Sequence, residues 1–477
     1  MTFKNPIIRG YYPDPSVCRV GSKYYLVASS FQYFPGVPLF ESGDLVNWQQ
    51  IGNVLTRKSQ LPLNGVYSSG GIFAPTIRHH NNRFYMVTTN VTGGGNFYVW
   101  TDDIYGEWSE PIYVKQEGID PSLYFEDGKC YFMSNADGAI MQAEINIETG
   151  KLLTEAKPLW RGTGGRYLES PHLYKINGYY YLMVAEGGTE YGHMVTYARS
   201  ENLWGPYESY PGNPVLTNRN LGGYPIQGIG HADLVDDEQG NWWILHLGFR
   251  QIDRWLTFHH LGRETFIMPV EFGADNWFTI DGGVTTVEVT TDRINTTQVF
   301  RNHYTSLPLL ERRYLRNPDM DNYIFGDDII KIKSSPDTLD AAGMPAFVSL
   351  HQKEFGMELS VSVTAHDGEA GVTVYMDENH HYDLFVAGNQ VKLMLNIGDI
   401  KHEAACVPVN GRQVTLGIKS DNINYEFFAD GKSLGKAQNR YLSSEVAGGF
   451  TGVVVGLFSQ KGKEFNEFTD FNLTYKQ

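Results

Sequence analysis

Five segments within the first 250 residues align with one another, and this internal repeat constrains the fold more than any other feature of the sequence. Each segment reads as a strand, a turn rich in Gly, Asn or Asp, and a second strand of aromatic and aliphatic residues, which is the pattern of a β-hairpin. The segments begin at Asp14, Ala74, Asp120, Ser170 and His231. A polar and aromatic stretch follows the hairpins, as in LFESGDLVNWQQIG after the first, so that each unit holds about four strands.

These repeats predict a five-bladed β-propeller, which we place at residues 1–295. The alternative is a β-sandwich in which hairpins recur by chance, but the residues that open the repeats align as well. A parallel α/β barrel is excluded because no helical period lies between the strands.

The pattern changes from about residue 273. Segments such as QVKLMLNIGD and NYEFFADGKSLG alternate apolar and polar residues between turn signals. They predict a two-sheet antiparallel β-sandwich over residues 308–477, joined through a polar, Thr-rich linker within residues 282–307. The 51 glycines and the aromatic content of 14% favour short strands and tight turns over helices, so the predicted fold class is all-β.

The charge balance limits the class of partner. A formal net charge of −16 argues against nucleic acid and anionic membranes, because phosphate binding needs a basic face. The three cysteines are far apart and form no C-x-x-C pair, and no apolar run approaches the ~20 residues of a membrane helix. The N-terminus lacks the apolar core of a signal peptide, so a reduced, cytoplasmic protein is expected.

The residues that open the repeats are expected to converge at one end of the central channel, because equivalent residues of propeller blades lie around one axis. Two of them are Asp14 and Asp120, and Glu169 immediately precedes the fourth. A single Asp-Pro at a strand start has a plain explanation, since Asp caps turns and Pro stiffens them. Three carboxylates at one channel mouth raise one another's pKa values, which folding does not require. The cluster therefore predicts proton transfer of the kind that glycoside hydrolysis needs, with two carboxyls flanking the scissile bond.

Several motifs carry a family resemblance, and together they cover essentially the whole chain. They are NPIIRGYYPDPS, SSFQYFPGVPLFESGDLVNW, SGGIFAPTI, GIDPSL, ESPHLYKINGYYYLMVAEGGTEYGHMVTYARS, GHADLV, HHLGRETF and AGGFTGVVVGL. The sequence resembles glycoside hydrolase family 43, in the branch of β-xylosidases and α-L-arabinofuranosidases with a C-terminal, concanavalin-like sandwich.

The resemblance implies a role for each matching residue. Asp14 in YPDPS matches the general base that activates water, Asp120 in GIDPS the carboxylate that tunes the acid, and Glu169 in ESPHLY the general acid. Glu186 in AEGGT is a rival acid, but it ends the second strand of its repeat, whereas Glu169 lies beside the repeat origin. Arg263 in LGRET matches an arginine that contacts hydroxyls of the terminal sugar.

His231 in GHADLV matches an axial histidine. In many relatives this histidine contributes to a hydrated calcium ion in the channel, and in others it makes only hydrogen bonds; both alternatives stay open. The resemblance also implies that the sandwich leans over the propeller mouth and inserts Phe450 of AGGFTG. A pocket closed in this way admits one terminal sugar and predicts exo action, whereas a sandwich docked elsewhere leaves a groove for endo action.

Aromatic rings are expected to line the pocket, because the apolar faces of sugars stack on them. Phe31 and Phe73 are the candidates, with core packing as the alternative for each. Phe73 stands where many β-xylosidases have Trp, which leaves the choice between xylopyranose and arabinofuranose open. Thr189 and Gln227 are further candidates for contacts with sugar hydroxyls.

The sequence thus predicts an inverting exo-glycosidase that releases terminal xylose or arabinofuranose from xylo- and arabino-oligosaccharides. Inversion predicts that the carboxyls of Asp14 and Glu169 lie ~6.5–9.5 Å apart. An endo-arabinanase or galactan-active relative is the alternative among enzymes, and a non-catalytic carbohydrate-binding protein or a structural scaffold is the alternative from other classes. All three carboxylates are present, which favours the enzyme. Oligomers are common among such relatives, so a homo-oligomer is a further expectation.

Overall fold

The computed structural model describes residues 1–252, 257–409, 411 and 413–476, and strands dominate these ranges. The helical elements in the described ranges are single turns: 3₁₀ turns Asp281–Gly283, Leu309–Glu311, Met320–Asn322 and Asn439–Leu442, and the α-helix Ser444–Ala447. Nothing helical in this part of the chain has the length and apolar character to cross a membrane. The prediction of an all-β class is confirmed.

Residues 16–279 form five four-stranded antiparallel sheets, numbered 1 to 5 in chain order. Within each sheet the spatial order of the strands is their order in the sequence. The short strand Tyr33–Phe34, in the loop of sheet 1, pairs with a strand outside these sheets. Their bounds are Ser16–Val20, Lys23–Val27, Gly36–Ser42 and Gln49–Leu55 in sheet 1; Thr76–His80, Arg83–Asn90, Gly95–Thr101 and Ile112–Tyr113 in sheet 2; Ser122–Glu126, Lys129–Ala136, Ala139–Ile145 and Lys157–Trp160 in sheet 3; Glu169–Ile176, Tyr179–Glu186, Met194–Ser200 and Glu208–Ser209 in sheet 4; and Ile226–Asp236, Trp242–Arg250, Glu264–Phe272 and Phe278–Thr279 in sheet 5.

The five sheets are arranged cyclically. The first strand of each sheet contacts the first strand of the next, and the first strand of sheet 5 contacts that of sheet 1. The first three repeat origins lie two residues before these strands, and Ser170 and His231 lie within the first strands of sheets 4 and 5. The arrangement therefore gathers side chains that are 46 to 61 residues apart in the sequence.

Four of the five repeat origins share a left-handed backbone conformation. The φ angles are 56° at Asp14, 52° at Asp120, 58° at Ser170 and 44° at His231. Residues with a Cβ adopt this region at a cost, which Asp bears more easily than most side chains. Such strained positions tend to cluster at functional sites, and here they coincide with the residues that face the ring axis.

Two larger sheets form a β-sandwich in the C-terminal part of the chain. In one sheet the strands are, in spatial order, Tyr323–Phe325, Ile329–Lys333, Phe465–Lys476, Gly356–Thr364, Gln413–Ser420, Asn424–Ala429 and Lys432–Gln438, with His303–Tyr304 also paired to Phe465–Lys476. In the other they are Ala346–His351, Val454–Gln460, Glu369–Asp377, His380–Ala387, Gln390–Ile397 and Ile400–Pro408. Buried and more exposed residues alternate along Phe465–Lys476, as expected when one sheet face covers a core.

The segment expected to be a linker takes part in both halves of the molecule. Glu288–Thr290 pairs with the N-terminal strand Thr2–Lys4, so the chain start is fixed beside sheet 5. His303–Tyr304 already belongs to the sandwich. A further two-stranded pair joins Tyr33–Phe34 to Tyr314–Leu315 and ties sheet 1's loop to the sandwich.

The sandwich is fixed against the cyclic sheets by a buried interface. Tyr11, Phe31 and Tyr33 belong to one apolar cluster with residues of the sandwich. The sandwich members of this cluster include Phe347, Tyr375, Phe385, Val454 and Phe458. An ion pair crosses the same interface, with Arg250 Nη1 donating to Glu354 Oε2 at 2.6 Å. These contacts place the sandwich over the end of the ring at which Phe31 lies.

Candidate active site

A cavity of about 80 Å³ lies at the end of the ring where the repeats begin. All the residues predicted for the site line this cavity, with the exception of Gln227. The lining comprises Asp14, Phe31, Phe73, Ala74, Ile119, Asp120, Glu169, Thr189, His231, Arg263 and Phe450. The cyclic sheets supply all of these except Phe450, which comes from the sandwich.

Two residues considered from the sequence lie outside the cavity lining. The side-chain amide of Gln227 is buried and donates to the carbonyl of Leu221 at 2.8 Å, so it braces a loop. The rival acid Glu186 is fully buried, and its carboxylate accepts hydrogen bonds from Gly165 N at 2.7 Å and Thr196 Oγ1 at 2.6 Å. Glu186 therefore holds the loop that precedes Glu169 and is not itself open to a ligand.

Asp14 is held in an environment that favours its ionised form. Ser29 Oγ donates to Asp14 Oδ2 at 2.5 Å, and Arg263 Nη1 donates to Oδ1 at 2.7 Å. His231 Nδ1 lies 3.9 Å from the same Oδ1. Burial alone would raise the pKa of Asp14, but the charge of Arg263, with His231 and the Ser29 hydroxyl, holds this pKa below its ordinary value.

Glu169 is in the opposite situation. Burial raises its pKa to about 7, the charge of Asp14 acts in the same direction, and Arg263 opposes both. Burial also raises the pKa of Asp120 well above its ordinary value, with further contributions from Glu169 and Asp14. Asp120 and Glu169 therefore retain a proton more readily than ordinary carboxyls, facing an ionised Asp14.

Arg263 connects the carboxylates to the aromatic part of the cavity. Its Nη1 also donates to Thr189 Oγ1 at 2.9 Å, and its guanidinium carbon lies 5.6 Å from the ring centroid of Phe31. The rings of Phe31 and Phe73 are 5.2 Å apart, and that of Phe450 is 6.1 Å from Phe31 and 5.9 Å from Phe73. Phe31 is only 2% exposed, so it packs in the interface core and lines the cavity at once.

A second cavity of about 570 Å³ adjoins the first on the side of Glu169. The two share Ile119, Glu169, Thr189, Arg263 and Phe450 in their linings. The remaining lining comes from both halves of the molecule and includes Arg166, Tyr167, Tyr191, Phe249, His259 and Glu445. The carboxyl of Glu169 thus lies at the junction between a small inner and a larger outer cavity.

The sandwich loop that carries Phe450 is docked onto the ring by polar contacts. Phe450 N donates to Ser69 Oγ at 2.8 Å. The carboxylate of Glu445 accepts from His259 N at 3.1 Å, lies 2.8 Å from His259 Nδ1 and accepts from the Tyr191 hydroxyl at 3.1 Å. Sequence reasoning missed Glu445 and His259, because neither belongs to the repeat and no local pattern marks their pairing.

A buried polar cluster fills the channel beneath the cavity. Arg78 donates to both carboxylate oxygens of Asp233, at 2.7 and 3.1 Å, and its Nη2 lies 2.9 Å from His172 Nδ1. Ser16 Oγ donates to Asp233 Oδ2 at 2.6 Å. Ser16, His172 and Asp233 lie two residues after the repeat origins Asp14, Ser170 and His231, so the repeat alignment contained the signal for this cluster.

The residues around His231 offer few direct ligands to a calcium ion, so an ion there would be held mainly by water. Calcium takes six to eight oxygen ligands, and the described residues contain no group of three or more His, Cys, Asp or Glu side chains that could hold a metal. Of the nearby carboxylates, Asp14 is paired with Arg263 and Asp233 with Arg78, whereas Asp120 Oδ2 lies 4.0 Å from His231 Nδ1. The positive charge in this channel is thus supplied by arginine side chains.

Two family models match the chain. Residues 3–278 match the model of glycosyl hydrolases family 43, and residues 310–475 match that of the beta xylosidase C-terminal concanavalin A-like domain.

Curated relatives and solved structures agree with these matches. The chain is 38% identical to a non-reducing end alpha-L-arabinofuranosidase of Bacteroides ovatus, over 98% of this chain and 92% of the relative. It is 37% identical to a xylosidase/arabinosidase of Butyrivibrio fibrisolvens, over 98% of each. The solved structure of the Bacteroides ovatus xyloglucan PUL GH43B superposes with a TM-score of 0.93 at 35% identity, and that of a xylan beta-1,4-xylosidase from Bacillus halodurans with 0.91 at 30%, each covering 100% of both chains. The chain belongs to glycosyl hydrolases family 43.

Proposed function

We propose that this glycosidase is an exo-acting, inverting enzyme that releases terminal xylose or arabinofuranose from xylo- and arabino-oligosaccharides. The observation that carries the proposal is that Asp14 and Glu169 line one small cavity and only Asp14 of the two is bonded to Arg263. Against the effect of burial, Arg263 holds the pKa of Asp14 down, whereas burial raises the pKa of Glu169. Hydrolysis of a glycosidic bond needs one ionised and one protonated carboxyl. The relatives, an arabinofuranosidase and a xylosidase/arabinosidase, supply the two candidate sugars.

The proposed reaction moves two protons. The Asp14 carboxylate removes a proton from the attacking water as its oxygen bonds to the anomeric carbon, and Glu169 gives its proton to the departing glycosidic oxygen. Asp120 supports Glu169, because a neighbouring carboxyl keeps the proton on the pair. Arg263 holds the base ionised and lies where it can contact the hydroxyls of the terminal sugar.

Exo action follows from the two cavities. The inner cavity is small and lies between the carboxylates and the rings of Phe31, Phe73 and Phe450, which suits a single terminal sugar. The outer cavity lies on the side of the proposed acid and has room for the leaving group. An endo-acting relative would need a groove that continues past the inner cavity, whereas this cavity is bounded by Phe31 and Phe73 of the ring and Phe450 of the sandwich.

The proposed enzyme consists of two domains, a propeller and a sandwich. Five sheets whose first strands contact one another in cyclic order are consistent with a five-bladed β-propeller. The two family models, at residues 3–278 and 310–475, support domains at 1–295 and 308–477.

The test compares wild type with Glu169→Gln on xylobiose and α-1,5-arabinobiose. We expect wild type to cleave at least one of them and Glu169→Gln to lose about 10²–10⁴-fold in kcat, which is the usual contribution of a general acid. Glu155→Gln, which removes an exposed carboxylate outside the cavities, is the matched control and should behave as wild type. ¹H NMR of the first-formed product should show the anomer opposite to that of the substrate.

A failure of wild type to cleave either disaccharide would refute the exo-pentosidase proposal. Retention of the anomeric configuration would refute the role of Asp14 as base.

A further inference from the structure

His193 is a buried histidine that the proposed reaction does not use. It immediately precedes the strand Met194–Ser200, and its side chain is fully buried. Its Nδ1 lies 3.2 Å from the carbonyl oxygen of Gly228. A carbonyl oxygen can only accept, so Nδ1 carries the ring hydrogen and Nε2 presents a lone pair.

This lone pair faces Glu169. Nε2 lies 3.9 Å from Glu169 Oε1, and within the described residues it has no hydrogen-bond partner. Buried acceptors are rarely left without a donor, and one that remains so calls for an explanation. The hydroxyl of a protonated Glu169 is the donor in reach, since a rotation that closes the gap by about 1 Å completes a hydrogen bond.

The neighbouring strand is shaped to admit this ring. Gly230 lies against the imidazole, and a Cβ at that position would come within 2.3 Å of the ring atoms. The register of the strand shifts on both sides of Gly230, so the backbone is irregular where it passes His193. Any side chain at residue 230 would push the ring from its place beside Glu169.

We propose that His193 is a positioning residue for Glu169, which accepts the hydrogen of the protonated carboxyl and so holds that carboxyl in its acid form until substrate binds. This inference rests on the proposed role of Glu169 as general acid. When substrate binds, the glycosidic oxygen replaces Nε2 as the acceptor of that hydrogen. His193 gains no proton in the cycle, and burial lowers its pKa to about 3, which keeps the ring neutral.

The other charged groups near Glu169 divide into two sets. Asp14 and Asp120 favour the protonated form, and Arg263 favours the carboxylate. The remaining titratable groups around the cavities are His231, Tyr167, Tyr191, the ion pair of Arg166 with Glu190, and His259, whose Nδ1 lies 2.8 Å from Glu445. His193 adds to the first set, because a lone pair next to a carboxylate is unfavourable and next to a carboxylic acid is favourable.

The test uses two variants of similar size. His193→Asn keeps a donor near the Gly228 carbonyl but has no atom at the position of Nε2, whereas His193→Gln places an acceptor there. Each is assayed from acid to alkaline pH on the disaccharide that wild type cleaves and on the 4-nitrophenyl glycoside of the same sugar. The nitrophenolate departs with little help from an acid, so only the disaccharide reports fully on Glu169.

We expect His193→Asn to lose about tenfold more kcat/KM on the disaccharide than on the nitrophenyl glycoside. Its alkaline limb should move to lower pH, because activity is lost as the acid deprotonates and the pKa of Glu169 falls without the acceptor. His193→Gln should stay close to wild type in both respects. Equal losses on the two substrates with an unmoved alkaline limb would overturn the proposal, while a wild type inactive on both substrates would instead refute the proposed function.

A measurement on wild type covers the case in which His193→Asn does not fold. The ¹⁵N resonance of His193 Nε2, assigned by its absence in His193→Gln, should shift as Glu169 titrates. A resonance that stays constant through the alkaline limb would overturn the proposal.

Discussion

The hydroxyl of Ser29 offers a way to change the proposed base without touching the substrate. It donates to Asp14 Oδ2 at 2.5 Å and does not line either cavity. Ser29→Ala removes this hydrogen bond and leaves the ion pair between Asp14 and Arg263 in place. The ionised form of Asp14 then loses one of the groups that stabilise it, and its pKa rises.

The magnitude follows from the type of hydrogen bond. A hydrogen bond to a charged group contributes about 1.5–3 kcal/mol, and one pKa unit corresponds to about 1.4 kcal/mol. Ser29→Ala should therefore raise the pKa of Asp14 by about 1–2 units. A base works only when deprotonated, so the acid limb of kcat/KM moves to higher pH by that amount, while the alkaline limb, which belongs to Glu169, stays.

The assay is kcat/KM against pH on the disaccharide that wild type cleaves, because its alkaline limb reports on Glu169, with Ser30→Ala as the matched control. Ser30 is the neighbouring buried serine, and its Oγ accepts from Val37 N at 3.0 Å, with no bond to a carboxylate. Ser30→Ala should leave both limbs in place. An acid limb that does not move in Ser29→Ala, or an alkaline limb that moves with it, would refute the assignment of Asp14 as the ionised base.

Three further changes test other parts of the site. Phe450→Ala removes a ring that is 38% exposed and stacks near Phe31, so KM should rise about tenfold with little change in the thermal midpoint; an unchanged KM would exclude sugar contact. Asp120→Asn removes a buried carboxyl at a φ of 52°, which Asn tolerates, so the thermal midpoint should rise by about 2–4 °C while kcat falls; a lower midpoint would contradict the strained environment. Because few side chains in the described part of the channel could hold calcium directly, dialysis against EDTA should leave kcat unchanged; a loss of activity that added calcium restores would contradict this expectation.

The repeat made much of the site predictable. Asp14, Asp120 and His231 occupy the same position in three repeats, so a cyclic arrangement brings them together whatever the details of packing. Glu169 was found because it adjoins a fourth origin. The same alignment, continued two residues further, would have indicated Ser16, His172 and Asp233 in the channel.

The other residues of the site could not be predicted, because their contacts do not follow from the repeat. His193 faces Glu169 because the neighbouring strand is irregular at Gly230. In the sequence, this irregularity is marked only by the glycine itself. Glu445 and His259 are 186 residues apart and meet only when the sandwich docks. Gln227 was predicted to contact the sugar and does lie in the first strand of sheet 5, but its side-chain amide donates to the carbonyl of Leu221 in a loop.

The loop from Ser444 to Val453 has a consequence for how such enzymes diversify. Both ends of this loop are bonded to the ring, through Ser444 N to His259 O at 3.3 Å and Val453 N to His260 O at 2.8 Å, and Phe450 lies between them. The loop can therefore change in sequence while its anchors stay fixed. The preference for one sugar over another can then change through the sandwich domain, which holds none of the proposed proton-transfer groups. Exchange of this one loop would alter the sugar that is bound and leave the proposed base and acid in place.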